Sequence, residues 1–267
     1  MTQPEEIKYL LRVKGNVKML TVMDSFATRG LYSLTYHGQN ETRPELQDYV
    51  VEEKEVVLTD YFDPNTYQMI EYVNKLATIY NRQHIAVNNQ GEIKGLLNMP
   101  EIRTKWDDLK KELMHINPIS AFEVIRHKDR ELNDPHQLIE NLESAHFTAL
   151  FLYAFSDLPA GINGKRERLV RDRMGIGFPV PVIQSFISEP TDYGYQVRAE
   201  GLLNEHGKID KSLISDVTGE NILDIKHYTR ASFKYSYKSD LIGAEMTVFE
   251  QLNNDFKTDL YLNLESL

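Results

Sequence analysis

Stretches in which apolar residues occupy every second position lie at both ends of the chain and constrain its fold most strongly. Every odd-numbered residue is apolar from Ile7 to Val13, and the same alternation runs from Tyr193 to Ala199 and from Phe233 to Tyr237. A period of two places successive side chains on opposite faces of a strand. Both ends of the chain are therefore predicted to form sheet with one buried face. Further strands are predicted at residues 17–22, 31–36, 49–58, 241–251 and 256–264.

Between these ends the pattern changes to that of helices, and the predicted helix starts share a signature. An Asp or Asn precedes a proline by one or two positions at residues 63, 98, 117 and 134. The Asx side chain can accept the free N–H groups of a first turn, in which proline loses no hydrogen bond. About four helices are predicted from these starts, the last running from Pro135 to Phe155. Asn98 and Glu101 also have the spacing of a capping box.

Together these patterns predict an α+β fold in a single domain, residues 1–267. Residues 1–60 are predicted as strands, residues 63–158 as a helical middle that contains a β-hairpin at 84–97, and residues 178–267 as a strand meander. The N- and C-terminal strands are expected to share one antiparallel sheet, with the helical segment packed on one face of it.

The charge balance excludes nucleic acid as a partner. The chain carries 30 Lys and Arg against 40 Asp and Glu, a formal charge of −10, so the field over most of its surface repels polyanions. The absence of cysteine excludes a disulfide framework, a thiolate nucleophile and Cys-based metal sites.

The longest apolar run is too short to cross a membrane. It spans residues 147–155, whereas a bilayer span needs about 20 residues, so we expect a buried helix and no transmembrane segment. The first residues, from Met1 to Glu6, lack the basic and apolar regions of a secretory signal. As written, the sequence predicts a cytoplasmic protein, with export by a dedicated system left open.

One short segment of this acidic chain is basic. It holds Lys165, Arg166, Arg168, Arg171 and Arg173. One interpretation is an anion site or a patch for an acidic partner. The other is the solvated face of a helix, with Glu167 and Asp172 forming local ion pairs.

No catalytic, cofactor or metal residue is predicted. Gly175 and Gly177 lead into prolines rather than into a helix, which favours a structural loop over a dinucleotide-binding turn. Glu143 and His146 form one Glu-x-x-His motif, but helical metal sites use two copies. We therefore expect His146 to be a hydrogen-bonded core residue.

Tyrosine is enriched, with 15 residues against a single Trp. Its large ring and polar tip suit a sheet face that meets a partner at a wet boundary, and equally an ordinary half-buried face. The candidate contact residues are Tyr193, Tyr195, Tyr235 and Tyr237.

The segment from Asn89 to Asn98, followed by Pro100–Ile102 and Trp106, resembles a pattern found in uncharacterised bacterial proteins. The resemblance covers about residues 85–113. Such proteins occur in envelope and secretion-system contexts, so the resemblance implies a bacterial, non-catalytic role and assigns no site residues.

Three functions follow as hypotheses. The first is a non-enzymatic assembly protein that acts through a protein–protein surface or as a homo-oligomer, in a secretion or envelope system. The second is a carrier for an apolar small molecule or lipid between a curved sheet and helices, resembling bacterial lipoprotein-carrier folds. The third is a hydrolase-like enzyme of unknown class. The carrier hypothesis predicts a cavity of several hundred Å³ between sheet and helices.

Overall fold

Most of the described chain forms one antiparallel sheet of eleven strands. The computed structural model describes residues 5–60, 75–116, 118–154, 162–219 and 223–267. The strands are β1 (Glu6–Met19), β2 (Val22–Gln39), β3 (Gln47–Asp60), β4 (Arg82–Val87), β5 (Ile93–Leu96), β6 (Asn163–Arg171), β7 (Pro179–Thr191), β8 (Gly194–Leu203), β9 (Lys226–Ser236), β10 (Leu241–Gln251) and β11 (Phe256–Ser266).

The sheet consists of two meanders that meet where the chain ends meet. Its spatial order is β5–β4–β3–β2–β1–β11–β10–β9–β8–β7–β6. The central β1 and β11 pair antiparallel, with Leu11 opposite Leu264 and Val13 opposite Leu262. These four side chains are buried, because the alternation of both strands turns the same apolar face inward. Strands β5 and β6 are the two edges.

The helices are short and lie within or beside this sheet. They are α1 (Met99–Ile116), α2 (Pro118–Asn133), α3 (Pro135–Ser144), α4 (His146–Ala154) and α5 (Lys211–Thr218), with a 3₁₀ turn at Thr78–Tyr80.

The predicted α+β architecture, with a helical middle packed on one face of a sheet, is wrong. The molecule is mainly one large antiparallel sheet, and its helices do not form one packed layer. Only α4, with Leu142 and Ile139 of α3, joins the main core of the sheet. Helices α1 and α2 form a separate cluster around Ile102 and Trp106. The hairpin predicted at 84–97 is β4 and β5, which extend the sheet instead of belonging to a helical segment.

Two of the predicted helices extend beyond the described residues. The first, predicted to begin at residue 63, lies largely outside the described residues. The last is interrupted at Ala145, whose ψ of 136° is extended, and its predicted end at Phe155 lies outside the described residues. The break separates two helices, α3 and α4, that have different surroundings. Helix α3 is amphipathic, whereas every side chain of α4 from Phe147 to Ala154 is buried.

Most of the basic segment is a strand, not the solvated face of a helix. Residues 163–171 form β6, which pairs along its length with β7. Gly175 and Gly177, both with positive φ, lie in the loop that joins β6 to β7. The Asp172 carboxylate accepts hydrogen bonds from the backbone of Ile176 and Gly177 at 2.9 and 2.6 Å.

Candidate functional site

The two edges of the sheet come close together on either side of α3. Eleven flat strands would hold their edges about 48 Å apart. Instead, one side chain of α3 reaches both edges: Glu143 accepts a hydrogen bond from the Ile93 amide of β5 at 3.2 Å, and its carboxylate lies 3.7 Å from Arg171 Nε of β6. The sheet therefore curves back on itself, and α3 closes it where β5 and β6 do not pair. We call this junction of β5, α3 and β6 the seam.

The seam is held by side chains instead of a backbone ladder. Arg171 of β6 donates to Glu140 at 2.7 Å and also lies near Glu143. Burial raises the pKa of Glu143 even though Arg171 and the Ile93 amide oppose the shift. Side-chain contacts of this kind constrain two edges less than a continuous set of backbone hydrogen bonds does.

A cavity of about 500 Å³ opens at the seam. Such a volume is within the range of ligand pockets, about 300–1,000 Å³. Its walls come from both sheet edges, α3 and α4, and they are mixed in character. Apolar wall residues include Ile93, Ile139, Ala149, Leu152 and Val170; charged wall residues include Glu140, Glu143, Arg168, Arg171 and Arg173.

The alternation of β6 divides the five predicted basic residues between two faces. Lys165 is exposed on the outer face, whereas Arg166 and Arg168 point inward. Arg171, at the end of β6, binds α3, and Arg173 in the following loop donates to the Ser144 carbonyl at 2.8 Å. Of the predicted set, Arg168, Arg171 and Arg173 line the cavity.

Arg168 lies on a tyrosine of α4. Its guanidinium carbon is 5.4 Å from the ring centre of Tyr153, a cation–π contact. Its Nη2 is 3.4 Å from the Leu152 carbonyl near the end of α4. Its buried Nη1 has no hydrogen-bond partner among the described residues.

A glycine makes room for the Tyr153 hydroxyl. Along the inner face, Arg166 is opposite Gln184, Gln184 opposite Gly201, and Gly201 opposite Thr229. A Cβ at Gly201 would lie 2.7 Å from the Tyr153 oxygen. Gln184 and Thr229 flank this hydroxyl, but neither forms a hydrogen bond of normal geometry with it. Arg166 Nε donates to Gln184 at 2.6 Å.

Burial shifts the pKa of each ionisable group in this region toward favouring its neutral form. It lowers the pKa of Arg166 to about 10, with a further contribution from the like charge of Arg168. It also lowers the pKa of Arg168 and of Arg173, while raising that of Tyr153 to about 12. Because arginine is not deprotonated in proteins, the inner face holds guanidinium cations that are poorly solvated.

The four candidate tyrosines do not share one exposed face. Tyr195 and Tyr235 stack with ring centres 4.7 Å apart, and Tyr235 is buried with its hydroxyl donating to the Ala154 carbonyl. Tyr193 and Tyr237 lie at turns and are more exposed.

A buried histidine and carboxylate are hydrogen-bonded elsewhere on the inner face. His227 Nδ1 is 3.0 Å from Glu250, and its Nε2 is 2.9 Å from the Thr229 hydroxyl. All three residues are buried, and none lines the seam cavity.

The Glu143–His146 motif is split by the break at Ala145. Glu143 is part of the seam, where it contacts Ile93 and Arg171. The rings of His146 and Phe26 stack with centres 6.5 Å apart, and His146 Nδ1 has no hydrogen-bond partner among the described residues. His146 is buried but not hydrogen-bonded through this atom, contrary to expectation. Within the described ranges, no group of three or more His, Asp or Glu is placed to hold a metal ion. None of the helices described is long and apolar enough to span a bilayer.

Sequence reasoning missed Tyr153 and the seam glutamates as site residues. Tyr153 belongs to an apolar run that indicated only burial. A usable signal was present in β6, because Arg166 and Arg168 are two positions apart and must share a face if the segment is a strand.

The comparisons with known proteins support the fold. No protein-family model matches the chain, and no curated protein matches it in sequence. A solved structure concerned with lipid–protein interactions in lipovitellin is similar to it, with a TM-score of 0.50 at 9% identity over 100% of this chain. This chain spans 25% of the lipovitellin chain.

A second solved structure is a domain described as an outer-membrane lipoprotein-sorting protein, from Vibrio parahaemolyticus. It has a TM-score of 0.18 at 10% identity, covering 97% of this chain and 85% of that one, which is too low to bear on the fold. Neither structure is of a secretion-system protein. The likeness to lipovitellin shows that the chain shares a sheet architecture with part of that protein.

Proposed function

We propose that this protein is a carrier or binding protein for an apolar or amphiphilic molecule, a lipid in the broad sense. The observation that carries the proposal is the seam cavity, which opens between the unpaired edges of a curved sheet and is walled by α3 and α4. Its apolar residues continue into the core that α4 forms with the sheet. The fold-level likeness to lipovitellin, a protein studied for its lipid interactions, supports this function over the other hypotheses.

The apolar part of a ligand would lie against the helix side of the cavity. Ile139 of α3 is half-buried, and Ala149 and Leu152 of α4 are buried at this wall. Removing a ligand's apolar surface from water there stabilises the complex by about 25 cal/mol per Å². Entry between β5 and β6 breaks no backbone ladder, because α3 separates these edges.

Ligand binding by the delipidated protein tests this proposal. We expect palmitate or hexadecanol, titrated in a calorimeter, to bind with one-to-one stoichiometry. Ile139→Trp should weaken binding at least about tenfold by filling the cavity, a loss of about 1.4 kcal/mol.

Ile125→Trp is the matched control. Ile125 is also a half-buried helix residue, but it packs against the cluster of α1 and α2 and does not line the seam. Its replacement should leave affinity unchanged. Absence of binding by both amphiphiles, or equal losses in the two variants, would contradict the carrier proposal.

A further inference from the structure

We propose that the seam cavity binds an oxyanion head group, a carboxylate or a phosphate, and that Arg168 is the residue that recognises it. The inference rests on the proposed function, since it names the polar end of the same ligand. It is carried by Arg168, an inward-facing arginine of the cavity wall that has no carboxylate oxygen within 4.0 Å among the described residues.

The acids that line the cavity are already paired with other cations. Among the described residues, no carboxylate oxygen lies within 4.0 Å of the guanidinium nitrogens of Arg168 or Arg173, both of which line the cavity. Arg173 has Glu250 and Asp172 nearby, and both oppose the lowering of its pKa by burial. Arg168 is therefore the cation of the cavity wall whose charge is least balanced. The existing pairs are Lys94 with Glu92, and Arg171 with both Glu140 and Glu143.

The guanidinium group of Arg168 is only partly hydrogen-bonded. One arm, Nη2, is directed at the Leu152 carbonyl, and the guanidinium carbon lies 5.4 Å from the centre of the Tyr153 ring. The other arm, Nη1, is buried and has no hydrogen-bond partner within the described part of the chain, and the same is true of the Tyr153 hydroxyl. A guanidinium held in one plane presents parallel N–H donors that match the two oxygens of a carboxylate or phosphate.

The energetics of burial favour the same ligand. A buried charge without a counter-ion is costly, and the cost falls when an opposite charge arrives with good hydrogen-bond geometry. Burial outweighs the more distant Glu92 and Glu143 and lowers the pKa of Arg168. An anion bound at Nη1 would both balance the charge of the Arg168 guanidinium and accept a hydrogen bond from its Nη1 N–H.

The size of the cavity indicates that the anion is one end of a larger molecule. A volume of about 500 Å³ greatly exceeds that of a free carboxylate or phosphate, and Ile139, Leu152 and Val170 form its apolar walls. A ligand with an anionic head and an apolar chain complements both parts.

Four probes separate the head group from the chain: palmitate, hexadecanol, acetate and inorganic phosphate. We expect palmitate to bind at least about tenfold more tightly than hexadecanol, because only its head is charged. Arg168→Gln should weaken the binding of palmitate by about 10- to 100-fold and leave the affinity for hexadecanol unchanged. Lys165→Gln, on the outer face of the same strand, is the matched control and should change neither.

Each outcome decides between the two proposals. Equal binding of palmitate and hexadecanol would overturn the head-group site while leaving the carrier function intact. Binding of phosphate or acetate alone, lost in Arg168→Gln, would identify a free-anion site and overturn the carrier function and the head-group assignment. If none of the four probes binds, both proposals fall.

Stability without ligand distinguishes a binding arginine from a structural one. Arg168→Gln removes an uncompensated buried charge, so the urea midpoint of its unfolding should equal or exceed that of the wild type. Palmitate should then raise the thermal midpoint of the wild type more than that of the variant. A folded variant with a lower midpoint and unchanged palmitate affinity would show that Arg168 serves only the fold.

Discussion

His146 begins α4 at a place where burial makes its protonation unfavourable. Desolvation, with a smaller contribution from Arg173, lowers its pKa from 6.5 to about 4. The unfolded chain takes up a proton as the pH falls below 6.5, whereas the folded protein does not until about pH 4. His146 therefore supports the fold above pH 6.5, and this contribution is lost progressively as the pH falls from 6.5 through 4.

His146→Phe should flatten the dependence of stability on pH. At about 1.4 kcal/mol per pKa unit, the wild type should lose roughly 3 kcal/mol more than the variant between pH 6.5 and 4. Phe keeps an aromatic ring against Phe26 but has no titrating group. Urea midpoints of both proteins across this range measure the difference. Parallel curves would mean that the pKa of His146 does not differ between the folded and unfolded states.

At the scale of elements, Asn98 joins β4 to α1 and does not complete the predicted capping box. Its Oδ1 accepts from the His84 amide of β4 at 2.9 Å, and its Nδ2 donates to the Arg82 carbonyl at 2.9 Å and to Glu101 at 3.2 Å. The side chain thus extends the pairing of β4 beyond β5. Asp134 does cap its helix, accepting from the His136 and Gln137 amides.

Because Asn98 and Asp134 have different roles, we expect their replacement to lower the free energy of unfolding by different amounts. Asn98→Ala should lower the free energy of unfolding by about 1–3 kcal/mol, because it leaves partly buried backbone groups of β4 without partners. Asp134→Ala should cost only about 1 kcal/mol, since water can replace the cap at its exposed position. Urea denaturation of the two variants makes the comparison. A smaller cost at Asn98 would show that its contacts with β4 contribute little.

At the scale of the whole molecule, the seam should be the least protected part of the sheet. Central strands are bonded on both sides, whereas β5 and β6 each pair on one side and contact α3 through side chains. Local opening at an edge breaks fewer hydrogen bonds and exposes less core than opening at the centre.

Hydrogen exchange followed by mass spectrometry tests this expectation. Amides of β6 should exchange faster than those of β10, a strand of similar length that is paired on both sides. Palmitate should slow exchange in β6 and leave β10 little changed if the ligand occupies the seam. Equal protection of the two strands would mean that α3 closes the sheet as firmly as a strand ladder.

Part of this architecture was predictable because it depends on local patterns. Alternation correctly indicated strands at 7–13 and 193–199, and the Asx–Pro pairs correctly placed the starts of α2 and α3. Strand β6 was missed because charges on both of its faces hide the period of two. The break at Ala145 was missed because both sides of it favour helix, and only their different surroundings separate them.

The sequence by itself determined where most strands form and which residues face inward, because a side chain's face follows from its parity along a strand. It also determined that the protein is acidic, free of cysteine and locally basic at residues 165–173. Only the tertiary structure decided that β5 and β6 meet at α3, because the curvature of a sheet is set by the combined twist of all its strands. That curvature brings Arg168 and Arg171 of β6 close to Glu143 of α3 and Ile93 of β5, and it creates the cavity on which the proposed function depends.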